Sequence, residues 1–241
     1  MKIGLLMLAM LLVAGCAQKQ PSPWLETVTQ VSTYEALQAG RYEGQLAISN
    51  LLTYGDTGLG TFEGLDGEMV VVSGTVYQVA HTGTVAPVPL DARTPFACVT
   101  WFEPDVRYDV GPMPRALFER TLQWKNPAPP QVLALRVQGV FKSISLRSVP
   151  RQSPPYAPLA GVVADQQQVW DRDEISGTMV GFYTPHALAG VAPEGFHLHF
   201  ISTDATVGGH VLDFELQVGR IEVDVTPVAH YLLPPPEPKQ P

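Results

Sequence analysis

Cysteine is almost absent: the 241 residues contain two, Cys16 and Cys98, so no disulfide framework can hold the fold. Charge is sparse, at 16% of residues against 45% hydrophobic, which is too apolar for a disordered chain and describes a globular one. Basic residues are scarcer still, with 15 Lys and Arg against 23 Asp and Glu and a net charge of −8. No run of Lys or Arg forms a local basic patch, and a surface of this sign repels nucleic acid, which is excluded as a partner. Internal repeats and long low-complexity linkers are also missing.

What is present begins with a segmented amino terminus. "MKIGLLMLAMLLVAGC" sets Lys2 before an apolar run from Ile3 to Ala14 and ends on small residues at Cys16. The run is shorter than the roughly 20 residues of a membrane-spanning helix. Its charged, apolar, small-residue order is that of a secretory signal. "VAGC" at 13–16 resembles the bacterial lipobox, whose cysteine becomes the lipidated first residue of the mature protein. Residues 1–15 are therefore expected to be a lipoprotein-type signal peptide and 16–23 a short tether. The mature chain is expected to be exported, touching a membrane only through lipid on Cys16; an ordinary signal peptide cut nearby is the alternative. Lipid on Cys16 leaves no disulfide partner for Cys98, whose strand-like setting in "TPFACVTWF" points to a buried, inert thiol.

The 23 prolines and 21 glycines mark many turns, which favours sheets over a helical bundle. The expected fold is α/β in the α+β sense: two domains built on mixed β-sheets with a few short helices. "STYEALQAGRYEG" predicts a helix opened by a Ser32–Glu35 capping box and stopped at Gly40, and "PRALFERTLQWKN" predicts another. "EMVVVSGTVYQVA" predicts a hairpin turning at Ser73-Gly74. "VLALRVQGVFKSISLRSV" predicts one strand, or two joined near Gly139. The turn-rich "PRQSPPYAPLAG" separates an amino-terminal domain, 24–150, from a carboxyl-terminal domain, 151–233, and a proline-rich tail occupies 234–241.

Residues 195–214, "GFHLHFISTDATVGGHVLDF", hold three of the six histidines. On a strand, Phe196, Leu198 and Phe200 share one face, and His197, His199 and Ile201 share the other. "STDATVGG" turns the chain, so a paired second strand brings His210 back to the first two. Burying three imidazoles is costly unless each finds a partner, and three histidines match the ligand set of open zinc sites. Neutral imidazole favours zinc over other metals. A hydrogen-bonded core role for each histidine is the simpler alternative. His81, His186 and His230 stand apart and read as surface or structural.

The same stretch resembles the metal-binding signature of the α-acetolactate decarboxylase family. Similar to that family, and in its order, are "LLTYGDTGLGTFEGLDGEMVVVSGTVYQV" (51–79), "TPFACVTWF" (94–102), "FKSISLRSVPRQSPPYAPL" (141–159) and "SGTMVGFYTPHALAGV" (176–191). The resemblance implies a decarboxylase that converts 2-acetolactate to acetoin and CO2, a homodimer, and a Zn2+ held by His197, His199 and His210. It also implies that Glu68 in "LDGEM" and Arg147 in "SLRSV" reach the pocket, with Thr61 lining it. On the strand after Gly67, Glu68 shares a face with Val70 and Val72, and a carboxyl beside an apolar wall holds its proton. Without the resemblance, Glu68 reads as a strand-end acid and Arg147 as a surface cation. The family also uses an acidic residue near the carboxyl terminus; after Asp224 this chain has one acid, Glu237, in a segment that matches no motif. A non-catalytic envelope binding lipoprotein that keeps the metal, or a zinc hydrolase, are the alternative functions.

Overall fold

β-Branched and aromatic runs broken by glycine, proline and aspartate make strand the dominant conformation. The computed structural model describes residues 25–126 and 130–233. In chain order the first strands are β1 (Thr27–Val31), β2 (Leu46–Ala47), β3 (Thr57–Thr61), β4 (Glu68–Val72) and β5 (Thr75–Val79). Next come β6 (Val85–Pro87), β7 (Arg93–Thr94), β8 (Ala97–Thr100), β9 (Val106–Val110) and β10 (Met113–Pro114). Five more follow: β11 (Val132–Ser148), β12 (Gln168–Thr184), β13 (Gly195–Ser202), β14 (Gly208–Thr226) and β15 (Val228–Leu232). The helices are α1 (Tyr34–Gln38), α2 (Ile48–Leu51), α3 (Arg115–Lys125) and α4 (Leu159–Gln166). Among the described residues, no helix is long and apolar enough to cross a membrane.

Two large sheets carry the fold, as the α+β expectation requires. One has seven strands in the order β15-β1-β8-β3-β4-β5-β6. The other has the order β10-β14-β11-β12-β13, with β9 also on β14. The sheets do not divide the chain at residue 150, where the sequence placed a boundary. β9, β10 and β11 already belong to the second sheet, and β15 returns to lie parallel to β1 in the first. The turn-rich 150–159 segment instead connects β11 to α4, and Gln152 N–H donates to the Gly64 carbonyl. The signal segment, Cys16, the tether, the tail and Glu237 lie outside the described residues.

Local expectations mostly reappear. The β4–β5 hairpin turns at Ser73-Gly74, both at positive φ. β11 runs unbroken through Gly139, with register shifts between Val140 and Leu146. α1 is capped by Thr33, not Ser32: Thr33 Oγ1 accepts the Ala36 N–H at 3.1 Å. Ser32 sits at a φ of 63°, outside the extended backbone of an N-cap, and its N–H extends the β1–β15 ladder to the Leu232 carbonyl. Cys98 is buried, donating its S–H to Gln30 Oε1 at 3.3 Å, and burial pushes the thiol pKa far up.

Strand alternation sorts the faces. Leu198 and Phe200 enter the main core with Phe141, Phe214 and Leu146, and Phe196 packs against it. Met69 and Val71 enter a second cluster on the far side of β4. Between the sheets, Val70, Val79, Val180 and Ile201 form a small buried seam, and burying such side chains stabilises by about 1.5–3 kcal/mol each.

β14 closes the second sheet at the site end. Its first residues pair with β13 (His199↔His210), while His210 also lies opposite Arg147 of β11. Gly209 makes this double pairing possible: its φ is +144°, and a Cβ there would stand 2.9 Å from the Arg147 carbonyl oxygen and 3.2 Å from Leu146 Cβ. Gly209→Ala is expected to lower stability by about 1–3 kcal/mol in denaturant unfolding, from strain and overpacking. Gly161→Ala on α4, where a Cβ meets nothing within 4 Å, should instead leave stability unchanged or raise it by up to about 1 kcal/mol.

Candidate active site

The polar faces of both sheets meet at one cavity of about 240 Å³, walled by Leu37, Leu65, Phe96, Leu159 and Phe196. Thr61, Glu68, Arg147, His197, His199 and His210 all line it. The first sheet supplies Thr61 and Glu68, which lie opposite each other on β3 and β4. The second supplies Arg147 from β11, His197 and His199 from β13, and His210 from β14. All six residues expected at a site are therefore brought together. His81 and His186 are exposed, and His186 lies 3.0 Å from Glu194. His230 is half-buried, its Nδ1 3.4 Å from Thr29 Oγ1.

The three histidine rings have centroids 5.0, 5.1 and 5.2 Å apart, and one nitrogen from each lies within 4.8 Å of the others. His199 is 1% exposed. Its Nδ1 lies 2.7 Å from the Met69 carbonyl oxygen. A carbonyl only accepts, so Nδ1 carries the proton and Nε2 presents a lone pair to the cavity. That Nε2 stands 3.3 Å from His210 Nδ1 and 3.4 Å from Glu68 Oε2. The Met69 carbonyl thus fixes the His199 tautomer, as an outer partner does for a histidine that could hold a metal. Side-chain patterns in the sequence do not reveal it, because a backbone carbonyl has no residue signature.

Burial, then the charges of neighbouring groups, hold the His197 and His210 pKa values well below the usual range. Burial likewise brings His199 down to about 3 despite its bond to Met69. Neutral imidazoles are the form that ligates metal. Burial raises the Glu68 carboxyl to about 7, while Arg147 pulls it down. Thr61 Oγ1 donates to the Gly67 carbonyl at 2.7 Å, pinning the turn that delivers Glu68. Among the described residues Arg147 has no ion-pair partner, so its guanidinium is available within the cavity.

The donor set fits a metal. Nitrogens bound at 2.0–2.1 Å on adjacent corners of a tetrahedron stand about 3.3–3.4 Å apart, and the His199–His210 separation is 3.3 Å. His197, His199 and His210 would hold the ion, with Glu68 close enough to join them or to face a ligand bound beside them.

A two-sheet α+β protein whose cavity ends in a histidine cluster able to hold a metal is the class these features define. The chain belongs to the alpha-acetolactate decarboxylase family, whose model matches residues 28–239. It is 41% identical over 210 residues to the alpha-acetolactate decarboxylase of Methanosarcina mazei, covering 87% of this chain and 73% of that one. It is 39% identical to that of Klebsiella aerogenes over 85% of this chain and 78% of that protein. The crystal structure of alpha-acetolactate decarboxylase from Bacillus subtilis strain 168 superposes with a TM-score of 0.84 at 36% identity, covering 87% of this chain and 90% of that one.

His197→Ala and His199→Ala are each expected to lower bound metal at least tenfold in elemental analysis of the purified protein, with the sheet signal in circular dichroism retained.

Proposed function

We propose that this chain decarboxylates 2-acetolactate to acetoin and CO2 through an enediolate, with zinc as its resident metal. The observation that carries the reading is the convergence of three neutral histidines, a buried carboxyl and the Arg147 guanidinium on one small cavity. Zinc held there would supply Lewis-acid stabilisation for the charge that grows on the substrate's ketone oxygen.

The protein's own groups account for the remaining steps. Arg147 binds the substrate carboxylate through its planar fork, whose parallel N–H donors match the two carboxylate oxygens. Breaking the bond to the carboxylate sends its electron pair toward the ketone oxygen, giving CO2 and the enediolate. Arg147 then faces the enediolate charge. Glu68, its carboxyl raised by burial, delivers a proton to the carbon that lost CO2, and solvent reprotonates it. The walls formed by Leu37, Leu65, Phe96 and Phe196 limit water, so charged groups inside act at reduced dielectric. No hydrolytic water takes part, which separates this reading from a zinc hydrolase on the same ligands.

Incubating the purified protein with racemic acetolactate should yield acetoin, and Glu68→Gln should retain metal while kcat falls by about 10²–10⁴. Metal lost along with turnover in that variant would make Glu68 chiefly a ligand, and a wild-type protein that forms no acetoin would sink the proposal.

We also propose that the enzyme acts outside the cytoplasm, anchored by lipid on Cys16; the charged, apolar, small-residue sequence of 2–15 and "VAGC" support this. Cys16→Ser is expected to move the protein from the membrane to the soluble fraction on cell fractionation, whereas unchanged partitioning contradicts the anchor.

A further inference from the structure

Away from the histidine cavity, three acids from separate parts of the chain meet: Glu26 just before β1, Asp105 between β8 and β9, and Asp224 on β14. One carboxylate oxygen from each lies within 4.8 Å of the others. None lines the histidine cavity. Among the described residues, no Lys, Arg or His forms an ion pair with any of them. Glu26 and Asp105 are exposed, but Asp224 is only 1% exposed.

Asp224 is the anomaly. Its Oδ2 accepts the Glu103 N–H at 3.2 Å, while its Oδ1 is buried without a hydrogen-bond partner among the described residues. A buried carboxylate oxygen with neither donor nor cation is costly. Asp105 is held in place from the opposite side, where its Oδ2 accepts the Val225 N–H at 2.8 Å. Burial first, and then the charges of Glu26, Asp105 and Glu103, push the Asp224 carboxyl up to about 7. Three neighbouring acids thus add to the burial cost, and a cation beside Asp224 would offset both contributions.

We propose that Glu26, Asp105 and Asp224 form a second, oxygen-liganded cation site that takes Ca2+ and ties the two sheets together. The donor set is all carboxylate, which selects hard cations and separates this site from the imidazole cluster. Two of the three ligands are exposed, leaving room for the waters that complete the six to eight oxygens of Ca2+. Mg2+ requires stricter octahedral geometry. Glu26 leads directly into β1 of the first sheet and Asp224 belongs to β14 of the second. One ion would therefore clamp the junction.

The test uses metal-loaded enzyme titrated with CaCl2 by calorimetry and followed by thermal unfolding. One Ca2+ per chain is expected, with Kd of about 10⁻⁴–10⁻³ M as in extracellular modules, and a Tm that rises to saturation. Asp105→Asn should weaken binding at least tenfold and leave acetoin formation unchanged. Asp224→Asn, which keeps an oxygen for the Glu103 N–H, should abolish the calcium-dependent rise in Tm. No saturable heat up to about 10 mM CaCl2, or a Tm response that persists in both variants, overturns the site.

Discussion

His199 Nε2, a lone pair held outward by the Met69 carbonyl, faces a Glu68 carboxylate oxygen at 3.4 Å and a His210 nitrogen at 3.3 Å. Electron-rich atoms at that separation, inside an apolar wall, are stable only with a proton or a cation among them. This constraint explains the site's other features. It explains why the histidines must be neutral and why the nearby acid is poised near neutrality. The cavity concentrates lone pairs on one side and a permanent positive charge on the other, a polarity suited to a small anionic, oxygen-rich substrate.

The fold is arranged to deliver that contact from both sheets. Neither sheet holds a complete site: β3 and β4 bring Thr61 and Glu68, while β11, β13 and β14 bring the basic groups. The apolar seam of Val70, Val79, Val180 and Ile201 sets the spacing between the two halves. Gly209 lets β14 run close beside both β13 and β11, so His210 is fixed by two neighbours rather than one. A shift of either sheet would change the Glu68–His199 separation directly, and catalytic geometry is sensitive to about 1 Å.

Period-two alternation made much of the site legible. Placing His197 and His199 opposite Phe196, Leu198 and Phe200 required only the pleat, and the Gly-Gly turn indicated the return of His210. Glu68 and Arg147 were different, since each reads alone as an ordinary surface charge, and resemblance to a family brought them in. The sheet exchange was not legible: a 17-residue β11 and the return of β15 to β1 are long-range pairings with no local signature. Proline and glycine at 150–159 marked a turn, but a turn need not be a boundary. Ser32 followed by Glu35 matched a capping box, yet a tertiary ladder claimed the Ser32 backbone and the cap moved to Thr33. The Met69 carbonyl and the orphaned Asp224 oxygen are products of packing alone.

The central claim is that His197, His199 and His210 would hold one ion, whose positive charge would stabilise the electron density freed when the carboxylate departs. Stepwise titration of Zn2+ into metal-stripped protein, with acetoin formation measured at each addition, tests it most directly. The account predicts a rate that climbs linearly and breaks at one equivalent per chain. Full acetoin formation by protein with no detectable metal would contradict it.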